Sequence, residues 1–455
     1  MIALPEAFLQ SLEGLPGYAR EAFLDAHAEA GRGASIRVNP RKYQPDIAGT
    51  PVPWCAQGYY LGERPAFVFD PLFHAGSYYV QEASSMFLDH AWRSVCGGLQ
   101  DARVLDLCAA PGGKSTLLAA QENIALLLSN EIIRTRVPVL YENVVKWGDP
   151  KVLVSSQDPK DFQSQPAAFD ALVVDAPCSG SGLFRKDPDA VKHWSPETVT
   201  LCSQRQQRIL ADALPCLKEG GYLFYSTCSY AREEDEDICD WLVGEMGMES
   251  VSIPLDPGWG VIASQSPQHE AHGYRFYPHQ LGGEGFFLAV FRNLRSSASE
   301  DYRPAKLLEA GRTDIEALRP WIGETSDLRF FRIDDVLMAF PQAGWEGMLQ
   351  ISGRFRLRRS GLRLGTMVRR QLNPDHELAM STVLSREAPQ AALGLEEALR
   401  YLKRELNDVP SASQGWLCLR YQGLAMGLAK KLPNRINNYY PQEWRIRADL
   451  PSPMA

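Results

Sequence analysis

Five short apolar runs, at 103–107, 124–128, 151–154, 169–174 and 221–225, recur through the middle of this chain, separated by stretches of helical periodicity. Runs of this length without strict alternation suit strands buried on both faces, and their alternation with helical segments predicts a largely parallel sheet wrapped by helices. Each run ends in residues capable of chemistry: "DLCAAPGGKS" (106–115), Asn130 with Glu131, Asp158, "DAPCSG" (175–180) and "STCS" (226–229). In an open α/β sheet, ligands bind outside the carboxyl ends of the strands, so the five endings point to one crevice.

The first ending reads as a cofactor loop. It has neither G-x-G-x-x-G nor the Walker spacing. Gly112 and Gly113 lack β-carbons, so backbone there can approach a ligand, and a helix starting near Lys114 would present free N–H groups. Glu131 lies eighteen residues beyond Gly113, close to the spacing at which a carboxylate takes ribose hydroxyls in Rossmann-like folds. Asp158, ending the third run, could accept from an adenine amino group, although a strand-end carboxylate also serves as a helix cap. Together they fit an adenosine ligand without a pyrophosphate.

Two thiols follow. Cys178 sits between Pro177 and a Ser-Gly-Ser-Gly loop, and Cys228 between Thr227 and Ser229, where hydroxyls could stabilise a thiolate. A buried packing role is the plain alternative for either. A thiol nucleophile beside an adenosine-type site suggests covalent activation of an electron-poor ring.

The chain has 455 residues, enough for two or three domains, with 45% hydrophobic and 22% charged residues. We expect a soluble cytoplasmic monomer: the start lacks a signal-peptide pattern and no stretch offers eighteen uninterrupted apolar residues. Nine cysteines without C-x-x-C pairing argue against a disulfide framework or a zinc knuckle, and no metal is expected. The net charge of −8 divides unevenly. Residues 1–300 carry 24 Lys and Arg against 37 Asp and Glu, and 301–455 carry 23 against 18. The densest basic clusters, "GRFRLRRSGLRLGTMVRR" (353–370) and "AKKLPNRINNYYPQEWRIR" (429–447), suit RNA or a solvated strand face. The tail is expected to supply much of the affinity for RNA. The acidic run "EEDEDICDW" (233–241) reads as a helix first turn.

The motifs at 106–114, "DAPCSGSGLFRKDP" (175–188) and "STCSY" (226–230) resemble those of the NOL1/NOP2/Sun family of RNA cytosine-5 methyltransferases. "RVNPRK" (37–42), "YYVQEASSM" (78–86) and "RFYPHQLGGEGFF" (275–287) extend the resemblance over roughly 30–293, and the tail resembles the PUA-like end of bacterial 16S rRNA methyltransferases of the RsmF type. The resemblance implies an α/β protein: a Rossmann-like S-adenosylmethionine-dependent core at 101–293, an N-terminal α+β, RNA-contacting segment at 1–100, a linker at 294–306, and a mixed α/β basic region with a PUA-like end at 307–455. It implies that Cys108, Ala109, Ala110, Pro111, Gly112, Gly113, Lys114, Glu131, Asp158 and Asp175 line the S-adenosylmethionine site. It also implies that Cys228 is the nucleophile at cytosine C6, that Asp175 holds the N3/N4 edge, and that Cys178 takes part in release. The implied substrate is 16S rRNA or the small ribosomal subunit, with tRNA as the alternative.

Two other readings remain at this point. A DNA cytosine-5 methyltransferase would use Cys178 as nucleophile, and "ENV" (142–144) is similar to its glutamate signature, but that triplet precedes the Pro-Cys strand and fits a helix surface. A non-enzymatic RNA-binding relative would lack a thiol or the glycines, and both are present. An RsmB-type arrangement expects a long helical domain ahead of the core, where only 105 residues precede Asp106.

Overall fold

The computed structural model describes residues 4–28, 33–42, 47–296, 303–323, 327–409 and 412–450. Part of the expected linker, 297–302, lies outside the described residues.

Strands β1 (Ala34–Val38), β2 (Thr50–Pro51), β3 (Gly58–Leu61) and β4 (Tyr78–Val80) form an antiparallel sheet in the order β2-β3-β1-β4. The core follows: β5 (Ala102–Asp106), β6 (Ile124–Asn130), β7 (Val152–Ser155), β8 (Phe169–Asp175) and β9 (Leu217–Thr227) pair in parallel in the order β7-β6-β5-β8-β9. β10 (Met248–Val251), β11 (Ile262–Gln265), β12 (His272–Phe276) and β13 (Phe286–Asn293) extend it through an antiparallel pairing of β13 with β9. The five apolar runs are the five parallel strands. β6 and β7 are buried along their whole length, as strands covered on both faces must be. The chain enters at β5, builds outward through β6 and β7, then returns to β8, so the order reverses between β5 and β8 and opens a crevice at their carboxyl ends.

The first hundred residues are part of the same body. Trp54, Met86, Phe87 and Trp92 share one apolar cluster with Val104, Leu118 and Val154 of the core. Phe8 and Phe23 pack with Phe184, Tyr230 and Tyr277 beneath the loops that follow β8 and β9. The block "RVNPRK" docks the segment: Arg37 donates to Gln81 Oε1 at 2.8 Å and Thr116 Oγ1 at 2.6 Å, and its guanidinium lies 4.5 Å from the Trp147 ring centroid.

Beyond the core, two sheets stand in place of one mixed region. β14 (Leu308–Glu309), β15 (Leu328–Ile333), β16 (Val336–Pro341), β17 (Leu362–Val368) and β18 (Gln371–Pro374) form the first. β19 (Gln390–Ala392), β20 (Gly415–Tyr421), β21 (Leu424–Leu432) and β22 (Arg435–Asn438) form the second. The first sheet covers the open edge of the core. Val154 of β7 exchanges backbone hydrogen bonds with Arg359, and Trp345, Met348 and Phe355 join the core cluster around Leu153 and Phe162. The second sheet returns to the start of the chain, packing Leu402, Tyr440 and Ile446 against Phe69, Leu72 and Ala75.

This docking corrects two expectations. The helix Val137–Trp147 that carries "ENV" is not plain surface: Tyr141 donates to Glu377 of the tail, and Val144 and Val145 are buried. Within the 353–370 cluster, Arg359 is buried, paired with Glu377 at 3.0 Å, and donates to the Val152 carbonyl. Its charge belongs to the fold. Among the described residues no helix is long and apolar enough to cross a membrane, and no group of His, Cys, Asp and Glu is arranged to hold a metal.

Candidate active site

A cavity of about 410 Å³ occupies the reversal point, with Cys108, Glu131, Asp158, Asp175, Cys178 and Cys228 among its walls. Leu107, Ala110, Ile132 and Pro159 supply apolar surface, and Arg136, Arg205 and Arg208 line it with positive charge. The core therefore has cations in its cleft despite its acidic balance.

The opening turn is held from inside. Ser115 Oγ donates to Asp106 Oδ2 at 2.6 Å, and burial pushes the Asp106 carboxyl up to about 7. Asn130 Nδ2 donates to the Leu107 carbonyl at 3.1 Å, and Arg136 donates to the Ala110 carbonyl at 2.5 Å. Gly112 has φ +114° and caps the helix Gly113–Ala119. A β-carbon there would meet Leu140 and Asn143 at 3.4 Å, and one on Gly113 would meet Tyr79 and Gln81 at 3.6 Å. These are ordinary contacts, so what favours glycine at 112 is its left-handed backbone. Cys108 and Ala110 line the cavity; Ala109, Pro111, Gly112, Gly113 and Lys114 are not among its lining residues.

Glu131, ending β6, is buried; its Oε1 accepts from Ile133 N at 2.8 Å, while Oε2 takes no hydrogen bond and lies 3.4 Å from Arg136. A buried carboxylate oxygen without a donor fits a ligand that brings a hydroxyl. Asp158 caps the turn Pro159–Ser164, accepting from Lys160 N at 3.2 Å, and still lines the cavity. The capping role is seen directly, and it leaves the residue at the cavity wall. Ile132 was not singled out from the sequence: it stands 48% exposed beside Glu131 and, with Pro159, adds apolar surface to the cavity.

Strand register brings the thiols together. Asp175 of β8 pairs with Ser226 of β9, so Cys178 and Cys228 leave adjacent strands three and two residues later. Their sulfurs are 3.1 Å apart. The hydrogen bond to Cys228, followed by burial, holds the Cys178 thiol well above its ordinary range. Asp175 Oδ2 pairs with Lys114 Nζ at 2.8 Å, and Oδ1 accepts from Ser226 Oγ at 2.9 Å. Lys114 is placed with this carboxylate and 5.0 Å from the Phe286 ring centroid.

The acidic run after Cys228 starts a helix, Glu236–Gly244, as its sequence suggests, with Glu236 and Asp237 in the first turn. Glu234, Asp235 and Glu236 are also buried, which the sequence did not show. Glu234 accepts from Ser179 N (2.8 Å), Ser179 Oγ (2.5 Å), Ser229 Oγ (2.7 Å) and Gln206 Nε2 (3.0 Å), so one carboxylate ties down the residue after each cysteine. Burial raises its pKa against these hydrogen bonds. Thr227 Oγ1 donates to Asp235 at 2.6 Å, and Arg275, itself buried, pairs with Asp235 and Glu236. Below the loops, Gly182 N donates to the Cys228 carbonyl at 2.9 Å and Gly285 N to the Gly182 carbonyl at 3.0 Å. A β-carbon on Gly182 would sit 2.4 Å from the Gly285 oxygen, which is why both loops carry glycine there. The sequence offered one signal for this network: an Arg at 275 between Tyr274 and Phe276 in a buried strand.

Three family profiles match the chain: "16S rRNA methyltransferase RsmB/F" over 98–292, "N-terminal domain of 16S rRNA methyltransferase RsmF" over 4–83, and "Methyltransferase RsmF PUA domain" over 388–446. A Klebsiella pneumoniae protein named ribosomal RNA small subunit methyltransferase F is 32% identical over 97% of this chain and 96% of its own length. A Vibrio cholerae protein of the same name is 31% identical over 97% and 98%. Among solved structures, a methyltransferase homologue from Pyrococcus horikoshii superposes with TM-score 0.51 at 27% identity, covering 64% of this chain and all of that one. The structure titled NSun6 from Pyrococcus horikoshii with SFG gives TM-score 0.55 at 19% identity, covering 65% of this chain and 100% of that one.

Proposed function

Because the chain belongs to the ribosomal RNA small subunit methyltransferase F family, and is therefore an rRNA methyltransferase, we propose that it methylates C5 of a cytosine in 16S rRNA through a covalent bond between Cys228 and C6. The observation that carries this reading is the pair of sulfurs 3.1 Å apart at the wall of a cavity shared with Glu131, Asp158 and Asp175.

The cavity residues fit S-adenosylmethionine. Its volume suits a ligand of that size, the donor-poor Glu131 oxygen suits ribose hydroxyls, Ile132 and Pro159 suit an adenine ring, and Asp158 suits its amino group. When bound, S-adenosylmethionine supplies an electrophilic methyl group to a carbon nucleophile.

Cytosine C5 is too weak a nucleophile unaided. Addition of the Cys228 thiolate to C6 forms a C–S bond, breaks the C5–C6 π bond and turns C5 into an enamine-like carbon. Asp175 accepts from the N4 amino group, and Lys114 behind it offsets the carboxylate charge. After methylation the C5 proton must leave and the C6–S bond must break. Cys178, kept as a thiol beside Cys228, gives its proton to the departing sulfur and takes the C5 proton in its place; the regenerated Cys228 thiol then loses a proton to solvent before the next attack, so one proton is released for each methyl group transferred. Glu234 fixes the loops that set this distance. The protein acts as a monomer on RNA.

Incubation with methyl-labelled S-adenosylmethionine and either a 16S rRNA transcript or bulk tRNA, followed by nucleoside analysis, tests the reading. Label is expected in 5-methylcytidine from 16S rRNA. Label in any other nucleoside would refute C5 chemistry, and label from tRNA alone would move the substrate to the family's alternative.

A further inference from the structure

A second cavity lies outside the catalytic crevice, where the N-terminal segment meets the second tail sheet. It encloses about 630 Å³ between Pro40–Lys42, the segment 379–386 and the turn joining β20 to β21. Its charged walls are Arg41, Lys42, Arg386 and Arg420, with no carboxylate among them.

Three of these four cations meet no carboxylate among the described residues. Elsewhere in the tail, Arg332, Arg359, Arg363 and Lys431 each meet a carboxylate. In the cavity only Arg41 does, through Asp149 at 2.8 Å. Lys42 Nζ donates to the backbone carbonyls of Ala75 (2.7 Å) and Lys146 (2.6 Å), and burial lowers its pKa to about 7. Arg420 donates to the carbonyls of Gly423 (2.9 Å) and Ser385 (3.1 Å), and its Nε is buried without a partner. Arg386 is exposed and has no carboxylate partner among the described residues. Carbonyls satisfy the donors of Lys42 and Arg420 but leave their charge uncompensated, and an anion in the cavity would offset it, keep Lys42 protonated and give the Arg420 Nε an acceptor.

We propose that this cavity binds phosphate groups of the RNA backbone. No aromatic side chain lines it, so nothing there can stack a base, and the contact is to phosphate without sequence readout. Lys42 and Arg41 sit at the carboxyl end of the helix Val137–Trp147, whereas Arg136, at its amino end, lines the catalytic cavity. Eleven residues at helical rise separate the two sites by about 16 Å. An RNA seated at both would be held well outside its reacting base, so the site adds affinity and leaves the chemistry alone. This rests on the RNA reading above.

The test uses the full chain and a 16S rRNA transcript across a salt series. Arg386→Glu, which disturbs no ion pair, and Arg386→Glu with Arg420→Gln should raise the RNA Kd by about tenfold or more and lower the log–log salt slope by roughly one to two. S-adenosylmethionine affinity should stay within about twofold, which shows that the fold is intact. Arg312→Glu, on an exposed arginine outside the cavity, should have a much smaller effect. An equal loss in Arg312→Glu would assign the effect to bulk charge and overturn the site. So would an unchanged RNA Kd and slope in the double variant, or tripolyphosphate binding that the variants abolish while RNA binding survives. A wild-type chain that transfers no methyl group to RNA would instead undo the underlying reading.

Discussion

The turn 106–115 and the basic stretch 353–370 both carry residues that sequence analysis assigns to a ligand, and the fold treats them differently. At the turn, Cys108 and Ala110 reach the cavity because they follow a strand end at the reversal of the sheet. In the basic stretch, Arg359 turns inward to Glu377 and to the edge of the core sheet, and Arg363 pairs with Asp375. A strand end has a geometric meaning that the chain cannot evade. A cation has none until its neighbours are known.

The largest effect that would break this contrast lies in the crevice. Cys228→Ala should abolish methylation and any covalent RNA adduct, whereas Cys178→Ala should still attack and then accumulate an adduct stable on a denaturing gel, because release is impaired. An adduct from Cys228→Ala alone would reverse the two roles.

On the tail side, Arg359→Ala should destabilise the protein by about 3–5 kcal/mol, since it leaves Glu377 buried without its partner. Denaturant melts read this directly. Arg386→Ala should leave the melt within about 0.5 kcal/mol, as an exposed side chain without an ion pair should. Equal melts for the two would remove the distinction between anchoring and ligand-facing arginines.

Asp106 sharpens the crevice side through pH. Its folded pKa stands near 7 against an unfolded value of about 4, so stability is full below about pH 4, falls as the unfolded chain loses its proton first, and levels off above pH 7. Asp106→Asn keeps an acceptor for Ser115 and removes the slope. The variant should gain on wild type by up to roughly 4 kcal/mol between pH 4 and pH 8. A gap that does not change with pH would mean that Asp106 does not titrate as its burial dictates.

A more modest loss is expected in the cofactor site. Glu131→Ala should weaken S-adenosylmethionine binding by about ten- to a hundredfold, the cost of roughly 1.5–3 kcal/mol for one charge-assisted hydrogen bond. Unchanged affinity by calorimetry would take Glu131 out of the site.

Apolar run length and spacing by themselves determined the five parallel strands, the crevice at their ends and the candidate residues around it, because burial on both faces leaves a pattern that local sequence must carry. Motif order added the family. Tertiary structure alone decided which partner each polar group meets. Glu234, Asp235 and Glu236 look only like a helix start, yet also serve two cysteine loops and Arg275; Arg359 looks like a phosphate contact, yet anchors the tail. The physical reason is that hydrophobic burial is summed over a segment and is nearly blind to its partner, whereas a charge or hydrogen bond is worth what one neighbour makes it, and that neighbour is often tens to hundreds of residues away in sequence.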